Sequence, residues 1–274
     1  EFEQDIESLI KKEDVVVTVT HKGYIKRVPL STYKAQKRGG KGRNALTMQD
    51  DDFTTKLFVA NTHTPMLFFS DHGKVYKLKA YRLPIGSATS KGRALVNIFP
   101  LQAEEKITTI MPLPEDESTW EGMHIVFATL RGNIRRNVLS DFQSIQSNGK
   151  IAIKLDEGDS LIGVRLCNEE NHILISAMSG KCIRFPVTAV RVFKSRTSDG
   201  VRGIRLADKD KVVSMSVLHG IEVDKIEKDE YLKISIKTRK KLRECTNEAD
   251  VPRILKNITV NLPIAKLLML AAEE

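Results

Sequence analysis

A motif that recurs four times along the chain restricts its fold more than any other feature. Each copy has a short apolar run, a polar pair, a glycine and then one or more basic residues. The apolar runs begin at Val15, Met66, Ile125 and Ile173, and the glycines are Gly23, Gly73, Gly132 and Gly180. The glycines are 50, 59 and 48 residues apart. A period of about 50 residues is typical of repeat architectures such as β-propellers.

Each copy of the motif predicts a β-hairpin. The first run is apolar on both faces, which favours a buried strand, and the glycine lies where a tight turn needs a positive φ. The residues after the glycine alternate between basic and apolar, as in a half-buried return strand.

The remainder of each copy predicts two further strands. A second glycine follows the first after 17 to 20 residues, at Gly42, Gly92, Gly149 and Gly200. A short strand comes next, for example at residues 94–98 and 151–155. An acidic turn follows at residues 50–52, 104–105, 156–159 and 208–210, and a last strand follows at residues 55–59, 107–111, 161–165 and 212–216. Four strands per unit predict an all-β fold of propeller-type blades.

The remaining residues, 219–274, break this pattern. We expect a charged helix or linker at residues 230–243 and helical structure at residues 254–272. The segment has 11 basic and 10 acidic residues, so it is close to neutral. The repeats and the residues before them therefore hold most of the net charge of +9.

The excess positive charge favours a polyanionic partner, which is a nucleic acid or, less often, an anionic membrane face. The alternative is a basic protein whose charge only maintains solubility. No apolar run approaches the ~20 residues of a membrane span. Three widely spaced cysteines, Cys167, Cys182 and Cys245, form no disulfide or zinc pattern, and we expect Cys182 to be a small buried hydrophobe. These features predict a cytoplasmic protein.

The basic residues recur at equivalent positions of the return strands. They are Lys26, Arg27, Lys74, Lys77, Arg135, Arg136, Lys181 and Arg184, and Lys91 and Arg93 flank a second glycine. Equivalent positions of stacked repeats lie on the same side of each blade. The pattern therefore predicts a positive belt that contacts DNA phosphates, although the same residues could be solvated positions of edge strands.

A glycine-rich basic loop is the densest local charge. It comprises Gln36, Lys37, Arg38, Gly39, Gly40, Lys41 and Gly42, and Lys34 and Arg43 extend it. Glycines let backbone N–H groups approach phosphates, which would make these residues DNA contacts. A merely flexible loop is the alternative. The Lys-Ser/Thr ending of a nucleotide-binding P-loop is absent.

Residues 13 to about 218 resemble the C-terminal domain of the bacterial DNA gyrase A protein. The loop from Gln36 to Gly42 is similar to the signature box of that family, with Lys37 where arginine is more usual. The resemblance implies a β-pinwheel with strand exchange between neighbouring blades. The expected organisation is a linker at residues 1–12, a pinwheel at residues 13–218 with blades at 13–60, 65–113, 124–167 and 172–218, and a charged tail, linker or inter-blade insertion at 219–274. The family has six blades, so four repeats predict a fragment or a truncated chain.

The resemblance also implies a function and partners. The domain would bind and wrap double-stranded DNA without sequence specificity, and so support ATP-dependent negative supercoiling by a bacterial, nucleoid-associated enzyme. Its partners would be the rest of gyrase A and the gyrase B protein in an A2B2 assembly. We expect no catalytic residue, metal or cofactor in this chain, because the catalytic tyrosine and the use of ATP and Mg²⁺ belong to other parts of that enzyme. A topoisomerase IV type domain and a protein-binding β-propeller are the alternatives.

Overall fold

A computed structural model describes residues 7–33, 52–194, 198–220, 223–256 and 258–273. The strands are β1 Asp14–Thr20, β2 Tyr24–Pro29, β3 Thr54–Asn61, β4 Pro65–Ser70, β5 Lys74–Lys79, β6 Arg93–Ala94, β7 Ile107–Pro112, β8 His124–Thr129, β9 Asn133–Val138, β10 Lys150–Ile151, β11 Leu161–Cys167, β12 Asn171–Ala177, β13 Cys182–Pro186, β14 Val201–Arg202 and β15 Val212–His219. The helices are α1 Lys225–Leu232, α2 Ile236–Arg243, α3 Val251–Leu255 and α4 Ile264–Glu273.

The predicted hairpins are present in all four copies. Strands β1 and β2, β4 and β5, and β8 and β9 pair antiparallel around their turns, and β12 neighbours β13 in the fourth sheet. The four turn glycines have φ between +78° and +88°, a region that side chains with a Cβ rarely occupy. The last strand of each copy then pairs with the first strand of its hairpin, as β3 does with β1.

The short strand after the second glycine of the second, third and fourth copies joins the sheet of the preceding copy. Strand β6 pairs with β2, β10 with β5, and β14 with β9, always with the same register relative to the hairpin glycine. The resulting sheets have the orders β3-β1-β2-β6, β10-β5-β4-β7 and β11-β8-β9-β14, each with four strands. Among the described residues the fourth sheet has only three strands, in the order β13-β12-β15. The expected strand exchange is therefore confirmed in three blades.

The hydrophobic core lies between consecutive sheets, which explains why the first strand of each hairpin is apolar on both faces. On β4, Met66 and Phe68 pack toward the first sheet, whereas Leu67 and Phe69 pack toward the third. Strand β8 divides its side chains in the same way: Phe127 joins the core of the second and third sheets and Val126 joins the next one. Successive side chains of one strand thus pack alternately into two different hydrophobic cores.

Two sequence predictions in this region are wrong in detail. The strands predicted at residues 94–98 and 151–155 are only the two-residue strands β6 and β10, because the chain turns into a 3-10 helix at Leu95–Asn97 and into bends after Ile151. Cys182, expected to be buried, is exposed. Its counterparts Ile25 and Ile134 are covered by an exchanged strand, and no such strand is described beside β13.

A second compact unit comprises residues 170–172 and the described part of 218–274. Helices α1 to α4 enclose a small apolar core that includes Tyr231, Ile234, Leu242 and Leu267. Asp224 begins α1 with a capping box that also uses Glu227, and Ser235 caps α2. The prediction of a partly helical tail is confirmed. Within the described part of the chain, no helix has the length and apolar character needed to cross a bilayer.

Candidate nucleic-acid interface

The third residue after the hairpin glycine is a buried cation in the first and third copies. Lys26 is 1% exposed, and its Nζ donates to the carbonyl oxygens of Ser87 at 3.0 Å, Ala88 at 2.7 Å and Ser90 at 2.7 Å. Burial lowers the pKa of Lys26. Arg135 is 0% exposed, and its Nη1 donates to the Ser198 carbonyl at 2.6 Å. Both side chains therefore bind the backbone that connects to the next exchanged strand.

The following position also contacts the next repeat. Arg27 donates through Nε to the Leu83 carbonyl at 3.0 Å and through Nη2 to the Tyr81 carbonyl at 2.9 Å. Lys77 donates to the Gln143 carbonyl at 2.7 Å, forms an ion pair with Glu117 and lies 5.0 Å from the centre of the Trp120 ring. These cations hold consecutive repeats together.

The prediction of a solvent-facing belt along the return strands is wrong for Lys26, Arg135 and Arg136, which are buried. The belt is also interrupted at Arg27, Lys74 and Lys77, which are only partly accessible. The physical reason is that the connection leading to each exchanged strand packs against the return strand, where its carbonyls accept hydrogen bonds from Lys26 and Arg135. Lys181 and Arg184 are exposed, as predicted, on and just before the fourth return strand.

Accessible cations lie instead on the exchanged strands, at one edge of each four-stranded sheet. Arg93 on β6 and Arg202 on β14 are exposed, and Lys150 on β10 is half-buried, with its Nζ 3.3 Å from the Ser144 carbonyl. Lys91 lies just before β6, with its Nζ 4.0 Å from the centre of the Tyr24 ring. We call Arg93, Lys150 and Arg202 the edge cations. They place positive charge on the corresponding strand of three successive sheets.

Two of the edge cations, Lys150 and Arg202, were missed by the sequence analysis. The signal was present, because each follows a second glycine by one or two residues, as Arg93 does. Two further exposed cations, Lys154 and Arg205, occur at the same distance from Gly149 and Gly200. They extend the positive charge beyond the exchanged strand in the second and third sheets.

The acidic turns of the first, third and fourth copies accept hydrogen bonds from the hairpin turns. Asp52 accepts a hydrogen bond from the Lys22 backbone N–H at 2.9 Å, Asp159 from that of Arg131 at 3.0 Å, and Asp210 from that of Ser179 at 3.0 Å. Burial opposes ionisation of Asp52, but the hydrogen bonds from Lys22 and Thr20 leave its pKa below the usual value. The Ser179 side chain likewise lowers the pKa of Asp210. These carboxylates thus stabilise turn backbone.

The remaining sequence predictions concern residues other than the cations and acidic turns described above. The glycine-rich loop, from Gln36 to Gly42, and its neighbours Lys34 and Arg43 lie outside the described residues, so their role stays a prediction. The single tryptophan packs locally: Trp120 is fully buried and its Nε1 donates to the Pro114 carbonyl at 3.1 Å. Within the described ranges, no group of histidine, cysteine and acidic residues is arranged to hold a metal ion.

Comparison with known families identifies the repeats. The family model described as DNA gyrase C-terminal domain, beta-propeller, matches residues 14–61, 65–114, 124–168 and 171–219. The gyrase A protein of Rickettsia bellii is 61% identical over 239 residues, which cover 87% of this chain and 26% of that protein. The gyrase A protein of Escherichia coli is 46% identical over 216 residues, covering 79% and 24%. The chain thus spans about a quarter of the length of these relatives.

Solved structures give the same architecture. The crystal structure of the C-terminal domain of DNA topoisomerase IV superposes with a TM-score of 0.66 at 25% identity, over 77% of this chain and 63% of that one. The structure of the DNA gyrase A C-terminal domain superposes with a TM-score of 0.56 at 27% identity, over 75% of this chain and 65% of that one. The propeller-like fold predicted from the repeats is confirmed.

Proposed function

Because this chain belongs to the family of DNA gyrase C-terminal domains, we propose that it binds double-stranded DNA without sequence specificity and wraps it around the repeat unit. The observation that carries this proposal is the recurrence of accessible cations at the edges of successive sheets. Arg93, Lys150 and Arg202 each occupy the exchanged strand, two of them exposed and one half-buried. A duplex that contacts several equivalent edges must follow the succession of sheets and therefore bend.

The energetics of this arrangement are favourable. Smooth bending of a 20–30 bp site by 40–90° costs on the order of 1–6 kcal/mol. Phosphate contacts spread over several sheets offset that cost without contacts to base edges. Lysine and arginine side chains at sheet edges supply such contacts. Little sequence preference is expected beyond the ease with which a sequence bends.

The remaining predicted contacts extend the proposed surface. Lys91 lies beside β6, Lys74 and Arg184 lie on the return strands of the second and fourth copies, and Lys181 directly precedes the latter strand. The glycine-rich loop, from Gln36 to Gly42 with Lys34 and Arg43, adds a dense group of cations and close-approach glycines. In this proposal the loop is needed for wrapping more than for simple binding.

The wider assembly is also a proposal. The relatives are gyrase A proteins of about four times the matched length. We place this domain beside the rest of gyrase A and the gyrase B protein in an A2B2 enzyme of the bacterial cytoplasm, near the nucleoid. The wrapped duplex would give ATP-driven strand passage its direction. The catalytic tyrosine and the use of ATP and Mg²⁺ would lie outside this chain.

Topoisomerase IV is the nearer alternative within the same structural class. Its C-terminal domain superposes with the higher TM-score, 0.66 against 0.56. Sequence favours gyrase, because the gyrase A relatives of Rickettsia bellii and Escherichia coli are 61% and 46% identical, against 25% for the topoisomerase IV domain.

The proposal is tested by replacing the edge cations together, as R93Q/K150Q/R202Q, in the full 274-residue chain. Binding to a linear duplex is measured by fluorescence anisotropy as a function of salt. The slope of log K against log salt should fall by about 2 to 3, because each lost phosphate contact is worth ~0.9. The linking-number shift that the wild-type domain imposes on a relaxed plasmid should fall as well.

The matched control is K11Q/K106Q/K209Q, which removes the same charge from exposed lysines near carboxylates. The salt slope of this control should differ from that of the wild type by no more than ~0.9, the contribution of one phosphate contact. Equal effects of the two triple variants would refute a specific role of the edge cations. Wild-type binding that does not respond to salt would refute the proposed function itself.

A further inference from the structure

Helix α2 carries the most concentrated positive charge among the described residues outside the repeats. Its eight residues, Ile236–Arg243, contain Lys237, Arg239, Lys240, Lys241 and Arg243 and no acidic residue. The helical unit as a whole is close to neutral, so the charges are segregated rather than in excess. Segregation of this kind indicates a surface for a charged partner.

The packing of α2 separates its cations into two groups. Leu242 is buried in the helical core, Arg239 lies 5.4 Å from the centre of the Tyr231 ring, and Arg243 donates through Nε to the Ala271 carbonyl at 3.1 Å. Lys237, Lys240 and Lys241 are exposed. At about 100° per residue, each of these three lysines lies about 100° or more around the helix axis from Leu242. We call them the α2 lysines.

Like charges three and four residues apart on a helix repel each other. Lys237 repels both Lys240 and Lys241 in this way. The helix dipole offsets part of the repulsion, because Lys240 and Lys241 lie in the last turn, where cations are favourable. Among the described residues, no carboxylate forms an ion pair with any α2 lysine. A bound polyanion would relieve the repulsion that remains.

Helix α1 provides the contrast within the same unit. Lys233 pairs with Glu230, and Lys266 of α4 pairs with Glu227. Lys225 and Lys228 are exposed, but Asp224 and Asp229 immediately adjoin them in the sequence. Glu244 directly follows α2, three and four residues from Lys241 and Lys240, but it forms no ion pair with either lysine among the described residues. The α2 lysines therefore remain available to a partner.

We propose that the α2 lysines bind the phosphate backbone of duplex DNA and form a second contact surface in addition to the edge cations. The four-residue step from Lys237 to Lys241 covers about 6 Å along the helix axis. One DNA strand presents a phosphate about every 3.4 Å of duplex axis, so this length, with the reach of the flexible stems, matches two to three phosphates. This inference rests on the proposed function, because it assigns the same polyanion to a second unit of the chain.

The chemistry of the surface favours DNA over an acidic protein segment. Lysine is depleted in the centres of protein–protein interfaces relative to the rest of the surface. The lysines of α2 are point charges on flexible stems, which suit a phosphate backbone without reading of base edges. The surface therefore fits sequence-independent contact with a duplex.

The test compares K237Q/K240Q/K241Q with the control K225Q/K228Q/K233Q in the full chain. Both variants remove three charges from the same helical unit, and glutamine keeps nearly the helix propensity of lysine. Anisotropy with a linear duplex should show that the first variant lowers the salt slope by about 2 to 3, whereas the control lowers it by less than about 1. Equal slopes for the first variant and the wild type would overturn the inference.

A footprint on the wild-type chain keeps the test independent of folding of the variants. Duplex DNA should protect the α2 lysines from acetylation several-fold more than it protects Lys225 and Lys228. Equal protection would overturn the inference even where the edge-cation variant still loses affinity, so the two proposals fail separately. Protection by an acidic polypeptide but not by DNA would also overturn it.

Discussion

Replacement of Lys26 by methionine tests whether this side chain joins two consecutive repeats or contacts DNA. The ammonium group is buried and donates three hydrogen bonds, at 2.7 to 3.0 Å, to carbonyls of the connection between β5 and β6. Methionine keeps much of the apolar stem but removes the charge and all three donors. The substitution therefore removes the tie between β2 and the connection that leads to its exchanged partner β6.

The size of the effect follows from two opposing contributions. A hydrogen bond to a charged group contributes ~1.5–3 kcal/mol, but burial of the ammonium group, which lowers its pKa, opposes this gain. The Ser87 carbonyl belongs to an exposed residue, and those of Ala88 and Ser90 to partly exposed ones, so water can replace part of what is lost. We expect the variant to lose about 2 kcal/mol of local stability.

Amide hydrogen exchange measures this local loss. The Gly86 N–H donates to the Arg27 carbonyl, and the Leu95 N–H donates to the Gly23 carbonyl, so both amides report the contact between the two repeats. A loss of about 2 kcal/mol corresponds to roughly 30-fold faster exchange, since each 1.4 kcal/mol is tenfold. The salt slope of DNA binding should be unchanged.

Lys181→Met is the matched control, because Lys181 occupies an exposed position next to a hairpin glycine. That variant should leave exchange at Gly86 and Leu95 as in the wild type and lower the salt slope by up to about 0.9. If Lys26→Met lowered the salt slope and left amide exchange unchanged, Lys26 would be a phosphate contact and the reasoning from burial would be refuted.

Two further predictions concern the glycine-rich loop and the cysteines. K37Q/R38Q/K41Q should abolish the linking-number shift on a relaxed plasmid, whereas the salt slope of linear DNA binding should fall only by the equivalent of about three phosphate contacts. A linking-number shift of wild-type size would contradict the proposed role of the loop. At pH 8, iodoacetamide should modify exposed Cys182 rapidly and Cys167 hardly at all, because burial raises the pKa of Cys167 to about 11 and the thiolate is the nucleophile. Mass spectrometry of the two peptides measures this, and equal modification would contradict the burial of Cys167.

The repeat architecture could be read from the sequence because each element carries a local signal. The turn glycines and the two-sided apolar runs predict the hairpins, and Met66 to Phe69 show why both faces are apolar. The pairing of the short strand after a second glycine could not be predicted from such a local signal. Its partner lies in another repeat, and two residues such as Arg93 and Ala94 are too few for a pattern to define.

The site was harder to predict, because exposure depends on which strand lies beside which. The alternation of basic and apolar residues on a return strand is the same for a solvent-facing strand as for one whose cations bind backbone carbonyls. Lys26 and Lys181 both follow a hairpin glycine closely, yet the first is buried and the second exposed. The first is covered by the connection that leads to β6, whose Ser87, Ala88 and Ser90 carbonyls lie more than sixty residues away along the chain.

Strand exchange assigns different roles to cations that look equivalent in the sequence. Pairing of the exchanged strands with β2 and β9 brings the preceding connections onto Lys26 and Arg135, which become donors that join one repeat to the next. The same pairing places Arg93 and Arg202 on edge strands, where side chains remain accessible to a partner. A cation three residues after the first glycine of the first or third copy therefore joins consecutive sheets, whereas Arg93 and Arg202, after the second glycines, lie where we propose that DNA binds. Loss of an exchanged strand would weaken both together, since the edge cations are carried by the strands that the buried cations hold in place.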